Sequence, residues 1–194
     1  MDSKTTKLFS PERLKAAAAE VVGTFFLTLA ALLGGTAYAV GLTLGALVYA
    51  IGDISGCHLN PAVTLGLLLE RRFPLATGVF YIVAQIVGAL LARLLGSFIG
   101  SLAPNYQAAG AFGEFFGFGI LMLTVVAVYE KNVPKSGSGI AIGAALTAGV
   151  LITQGILNPA IAIAMNQTFS PATWATLLSG IVFTLLFKLF SQKH

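Results

Sequence analysis

The sequence predicts an all-α membrane protein, six transmembrane helices plus two half-helices in an inverted repeat. Three observations carry that expectation. Apolar residues fill 57% of the 194 positions and charged ones only 9%, whereas soluble domains carry roughly 25% charged residues. Six apolar stretches approach the ~20 residues that cross a ~30 Å hydrocarbon core. The triplet Asn-Pro-Ala occurs twice, at 60–62 and 158–160.

The six stretches fall at 14–33, 37–56, 74–100, 108–129, 138–153 and 172–190, the fifth being the shortest. The first follows MDSKTTKLFSPERLKAAAAE, a charged lead too long for a cleaved signal and without a small-residue cleavage pattern, so it is expected to stay as a span. Basic residues cluster in alternate connections: Lys4, Lys7, Arg13 and Lys15, then Arg71 and Arg72, then Lys131 and Lys135, then Lys188 and Lys193. The connections near 34–37, 101–107 and 154–171 hold none. By the positive-inside rule both termini are expected in the cytoplasm. Only Arg93 departs from the pattern. Trp174, Tyr129 and Tyr106 fall near predicted boundaries, where amphipathic rings anchor at the interface, and are expected to take no part in a pore.

Glu20 and Gly23 in EVVGTFFLTLA match Glu114 and Gly117 in EFFGFGILMLT, 94 positions later, and the Asn-Pro-Ala triplets lie 98 apart. A unit of three spans, repeated, must return upside down. The chain therefore reads as one domain over 1–194, with inverted halves at about 12–101 and 108–190. Gly41 precedes Asn60 by 19 positions while Gly143 precedes Asn158 by 15, which suggests that about one helical turn is missing from the second connection.

After spans two and five come AVTLGLLLE at 62–70 and AIAIAMNQT at 160–168, each long enough to rise about 15 Å, half a hydrocarbon core. Each follows Asn then Pro, a capping side chain and a residue suited to the first helical position. Irregular backbone at mid-membrane depth is tolerated only inside protein or against a wet cavity, so a pore explains these turns. Two helix N-termini, each with about half a positive charge, and the Asn60 and Asn158 amides would then offer donors at one narrow point. A water there accepts from both and does not readily pass a proton or a cation.

A carboxyl group inside a span is costly unless paired, which makes Glu20 and Glu114 either scaffold acceptors or proton relays. Gly23, Gly88, Gly117 and Gly180 suit close helix packing in lipid. Asp53, seven positions before Asn60, could line an inner vestibule, bind a loop lysine as a gate, or serve as a helix-end partner.

The net charge of +4 is dispersed between apolar runs rather than gathered in a patch, so no nucleic-acid partner is expected. The single cysteine, Cys57, allows neither an internal disulfide nor a cysteine metal site and reads as a packing residue. His58 and His194 lie far apart, and no phosphate loop or metal-ligand spacing occurs. No enzyme activity, cofactor or metal is expected.

SGCHLNPAVTLG, with AEVVGTF before it and YIVAQIVGA after it, resembles the aquaporin and glycerol-facilitator (major intrinsic protein) family, over about residues 12–188. The resemblance implies an aquaporin-like fold and passive conduction of water or a small uncharged solute such as glycerol, by a homotetramer in a lipid membrane. It implies that Asn60 and Asn158 are central donors within Asn60-Pro61-Ala62 and Asn158-Pro159-Ala160. It makes Glu20 and Glu114 buried acceptors for the half-helix loops, and His58 and Gln85 supports of the first loop. Most relatives place an arginine after the second alanine, at an outer constriction. Here Ile161 stands there, and the resemblance maps the remaining constriction to Val40, Gly155 and either Val150 or Leu146, all without polar side chains. Cation exclusion would then fall on the half-helix dipoles and on pore width. Arg93 either lends its guanidinium to the outer mouth or makes a snorkelling or interhelical contact. Two rival readings keep the fold: a non-conducting structural protein plugged by Ile161, and an ion-coupled transporter in which Glu20, Asp53 and Glu114 relay protons.

Overall fold

The computed structural model describes residues 10–99 and 110–191; Lys4, Lys7, Tyr106, Lys193 and His194 lie outside the described residues. Among the described residues eight α-helices follow in order: α1 Pro11–Gly34, α2 Ala37–Ser55, α3 Pro61–Leu69, α4 Leu75–Phe98, α5 Ala111–Tyr129, α6 Ser138–Thr153, α7 Pro159–Ala164 and α8 Pro171–Ser191. A 3-10 turn, Lys135–Gly137, leads into α6. Six of these, with α6 extended by its leading turn, are long and apolar enough to cross a membrane. Their outward faces expose Leu42, Phe98, Phe112, Phe116 and Phe190, surface that a water-soluble chain does not tolerate on this scale.

Local chemistry sets the helix ends. The Ser10 hydroxyl accepts from Arg13 N at 3.2 Å ahead of Pro11, and the Thr36 hydroxyl accepts from Ala39 N at 3.1 Å. These caps satisfy amides that have no intrahelical partner. α1 is capped by Gly35, whose φ of 59° lets the chain reverse into α2. α7 stops at Ala164, four residues short of the expected 160–168. Asn166 adopts φ 61°, and Gln167 N donates back to Ala162 O at 2.8 Å, so the polar end of that stretch forms a turn.

The long helices pack in matched sets: α1 along α4, α2 along α6, and α5 along both α6 and α8. Where α2 crosses α6, four glycines bring the backbones together. A Cβ on Gly143 would lie 2.5 Å from Gly41 O, and one on Gly45 would lie 2.8 Å from Gly139 O. This crossing corrects the missing turn inferred from sequence. The segment from Lys135 to Thr153 has 19 residues, as does α2. Gly45, not Gly41, is the repeat counterpart of Gly143, and each precedes its motif asparagine by 15 positions. Nothing is missing, and the 98-residue offset holds from α2 and α6 through the motifs.

Gly23, Gly88, Gly117 and Gly180 also sit at helix contacts. A Cβ at Gly180 would come within 2.6 Å of Ala62 O, and one at Gly88 would strike Val21 O. Arg13, Arg71, Arg72, Lys131, Lys135 and Lys188 share one end of the bundle, called the basic end below. There Arg72 pairs with Glu130, Lys135 with Asp53 at 2.6 Å and Lys188 with Glu70 at 3.9 Å. The Lys135–Asp53 pair is exposed, and pairs of that kind add little stability.

Gly143→Val should lower the thermal midpoint in detergent, by the equivalent of about 1–3 kcal/mol of overpacking. Gly52→Ala, where a Cβ meets nothing within 4 Å, should leave it unchanged or slightly raised. Equal midpoints for the two variants would show that the crossing is not closely packed.

Candidate functional site

Each half-helix begins at a motif asparagine that bonds in two directions. Asn60 Oδ1 accepts from Ala62 N at 2.9 Å, and Asn158 Oδ1 accepts from Ala160 N at 3.0 Å, with Pro61 and Pro159 at the first helical positions. The amide nitrogens cross between the loops: Asn60 Nδ2 donates to Leu157 O and Asn158 Nδ2 donates to Leu59 O, both at 2.8 Å. A carboxamide has two N–H groups, so each asparagine keeps one beyond this cross-bond.

The cross-bonds require an unusual backbone. Leu59 and Leu157 hold φ of 50° and 54°, a left-handed conformation that costs a non-glycine residue on the order of 1–3 kcal/mol. It turns each carbonyl toward the opposite asparagine and each N–H toward a carboxylate. Glu20 Oε2 accepts from Leu59 N at 2.7 Å, and Glu20 Oε1 accepts from His58 N at 3.0 Å and Ser55 Oγ at 2.6 Å. Glu114 does the same for the second loop, accepting from Leu157 N at 2.8 Å, Ile156 N at 2.6 Å and Thr176 Oγ1 at 2.8 Å. Both side chains are buried, and each of their oxygens accepts from at least one of these donors.

Gln85 joins the first carboxylate to the first half-helix, its Nε2 donating to Glu20 Oε2 at 2.7 Å and to Thr64 Oγ1 at 2.9 Å. His58 contacts the same threonine through Nδ1 at 3.1 Å and contacts Tyr129 Oη through Nε2 at 2.9 Å. Phe73 and Tyr81 flank its ring, each with centroids 5.1 Å away.

Asn60 and Asn158 line a cavity with about 20 Å³ accessible to the centre of a water, room for about one molecule. Its walls are built from repeat counterparts: Leu27 with Leu121, Leu44 with Ile142, His58 with Ile156, and Val63 with Ile161. Of the residues mapped to the constriction, Val40, Leu146 and Ile161 line this cavity, whereas Val150 packs into the hydrophobic core around it. Gly155 is not among the lining residues; its neighbour Ile156 is. The repeat itself marks the position: the counterpart of His58, 98 residues on, is Ile156.

Arg93 takes the interhelical one of its expected places, Asp53 combines the vestibule and loop-lysine places expected for it, and Tyr129 departs from its expected one. Arg93 donates from Nη1 to Ala164 O at 2.8 Å and to Asn166 Oδ1 at 2.5 Å, so it closes the carbonyl end of α7 as an α4–α7 contact and is not a cavity wall. Asp53 pairs with Lys135 at the rim of a wide vestibule at the basic end. Tyr129, expected to anchor at the interface away from the pore, lines both the cavity and that vestibule. α5 ends at Tyr129 with this side chain turned inward, onto His58. Trp174 is largely exposed near the start of α8, as an interface anchor requires.

Because each carboxylate holds two loop N–H groups, one of them on a left-handed leucine, Glu114→Gln should be more damaging than an ordinary core substitution. The amide would turn its own N–H₂ toward Ile156 N or Leu157 N and leave that donor unpaired, costing about 3 kcal/mol. Thermal unfolding followed by size exclusion checks this. A midpoint matching the native chain would show that the carboxylate is dispensable for the loop.

A family model described as Major intrinsic protein matches residues 7–176. Aquaporin AqpM of Methanothermobacter thermautotrophicus is 35% identical, over 79% of this chain and 80% of that relative. Aquaporin Z of Bradyrhizobium diazoefficiens is 41% identical over 52% of this chain and 48% of its own length, so the match spans about half of that protein. The solved aquaglyceroporin from Plasmodium falciparum superposes with a TM-score of 0.69 at 23% identity, covering 93% of this chain and 96% of that one, a likeness of fold. With paired Asn-Pro-Ala half-helices inside six apolar helices, this chain belongs to the major intrinsic protein family, an integral multi-pass membrane protein with the aquaporin-like fold.

Proposed function

We propose that the chain is a passive channel for water and small uncharged solutes such as glycerol, and that the paired Asn-Pro-Ala turns exclude protons and ions. The observation that carries this reading is the cross-bonded pair Asn60 and Asn158, each lining one narrow cavity with an N–H left over. Two fixed donors, backed by two helix N-termini, orient a water so that its oxygen faces both and its own hydrogens point away along the passage. A water held this way cannot take a proton from one neighbour and give one to the other. Apart from the two asparagines, His58 and Tyr129, the side chains lining the cavity are apolar, so a cation that sheds its water finds no carboxylate there to replace it.

Val40, Leu146 and Ile161 form the apolar part of the path beyond the asparagines, and width rather than a fixed cation sets what passes. The occupied carboxylates of Glu20 and Glu114 favour a channel over a proton-coupled transporter. The reading places the basic end, with both termini, in the cytoplasm. The resemblance adds a homotetramer, compatible with the exposed apolar faces of the bundle. No catalysis and no cofactor form part of this reading.

Stopped-flow light scattering on proteoliposomes tests it. Under shock with an impermeant osmolyte, vesicles holding the native chain should shrink severalfold faster than empty ones, and re-swelling in glycerol would extend the path to small polyols. Rates should not depend on an imposed pH gradient; dependence would favour coupled transport. If the native chain matches empty vesicles while Ile161→Arg conducts, Ile161 is a plug and the channel assignment fails.

A further inference from the structure

Resting on the channel reading, we propose that Arg93 is a positioning residue for the half of the passage away from the basic end. By holding the carbonyl end of α7 it fixes where Ile161 stands relative to Val40 and Leu146, and so sets the width that sorts solutes by size. Ile161 is the third residue of α7, is 1% exposed, and lines the narrow cavity beside Asn60 and Asn158. The place of that side chain is only as fixed as the half-helix that carries it. α7 has six residues, less than two turns, so its own hydrogen bonds cannot hold it.

The beginning of α7 is held from two sides. Asn158 caps it by accepting from Ala160 N, and Glu114 takes the N–H groups of Ile156 and Leu157 just before it. Along its length, Ala160 and Ala164 pack against Ala89 of α4, all three at 2% exposure or less. Methyl groups let two helices approach closely but interlock little, so this contact by itself does little to stop α7 from rolling on α4. Arg93 stands one turn beyond Ala89 on α4. Its Nη1 gives one hydrogen to Ala164 O at 2.8 Å and the other to Asn166 Oδ1 at 2.5 Å. The contact grips the last residue of α7 and the nearby left-handed residue, φ 61°, in the turn that follows it. A cation at that end also meets the negative pole of the half-helix.

The other half-helix is seated differently. α3 runs three residues longer than α7, its Leu67 is fully buried, and a Cβ at Gly66 would overlap both Met122 and Thr184. On α8, Thr176 meets Glu114 as Gln85 of α4 meets Glu20, and the same offset of 91 residues takes Arg93 to Thr184. Thr184 donates to Gly180 O of its own helix and lies against Gly66, the repeat counterpart of Ala164. At equivalent positions, then, one half-helix is set by side-chain packing and the other by a guanidinium. Arg93 is the only Lys or Arg among the described residues that lies away from the basic end.

Proteoliposomes holding the native chain, Arg93→Met, Arg93→Lys or Asn166→Gly test the role under osmotic and glycerol shock; the last variant removes the carboxamide and keeps a residue suited to positive φ. The quantity read is the ratio of glycerol to water permeability, because a loss of folded protein lowers both rates together and leaves their ratio unchanged. Arg93→Met should raise the ratio severalfold and Asn166→Gly should raise it less. Arg93→Lys, which keeps a cation with N–H donors, should return it toward native. In an Ile161→Ala background the side chain to be positioned is gone, so Arg93→Met should leave the ratio where Ile161→Ala puts it. A native ratio in Arg93→Met, or an equal further rise in the Ile161→Ala background, overturns the positioning role and leaves the channel reading standing. Should Arg93→Met fail to fold, Asn166→Gly carries the test, and a native ratio there overturns the proposal. Native chain and every variant at the rate of empty vesicles would overturn the channel reading and the positioning role with it.

Discussion

Everything at the centre of this protein depends on two carboxylates that take the N–H groups of two bent loops. Lipid offers no hydrogen bonds, so an unwound segment at mid-depth must find acceptors inside the protein. Glu20 and Glu114 supply them from α1 and α5. Once Leu59 N and Leu157 N are held, the leucines stay in the left-handed region, and their carbonyls turn toward the opposite asparagines. The Asn60 and Asn158 cross-bonds then join the halves of the repeat at one point. Either carboxylate lost from its place would loosen both loops, because each loop supplies the acceptor for the other's amide.

That geometry also needs helices close enough to deliver the carboxylates, and glycine makes this possible. Between helices in lipid, association rests on van der Waals packing rather than on exclusion of water. The α2–α6 crossing meets backbone to backbone at Gly41, Gly45, Gly139 and Gly143, and Gly180 lets α8 rest on the carbonyl of Ala62. α3 is only nine residues long and α7 only six, too short to be stable alone. They persist because full-length helices enclose them and because Arg93 satisfies the carbonyl end of the shorter one.

The sequence made the six spans legible because hydropathy and length suffice for that. It made the asparagine turns legible because Asn-Pro is a helix start that has no other reason to occur twice between spans. The buried glutamates stood out as charges within apolar runs. What it obscured was whatever depends on helix register or rotation. Glycines spaced four apart on α2 and on α6 admit two pairings a turn apart, and the crossing, with Gly41 on Gly143 and Gly45 on Gly139, is symmetric only when Gly45 is the counterpart of Gly143. The end of α7 hid behind apolar continuity, since Asn166 and the Arg93 contact stop it through tertiary structure. A tyrosine at a span boundary looks the same whether it faces lipid or lumen, and Tyr129 faces the lumen because α5 presents it to His58.

The repeat explains why the middle of the passage is conservative and its ends are not. Symmetry demands that both motifs meet, so residues at the crossing come as near-equivalent pairs, such as Asn60 with Asn158 and Leu27 with Leu121. Toward the ends the counterparts face different spaces, and the demand lapses. At one end the repeat positions hold Ile156 and Gly35, while at the other they hold an imidazole and a phenol 2.9 Å apart. An apolar wall can sort solutes only by size and by the cost of shedding water.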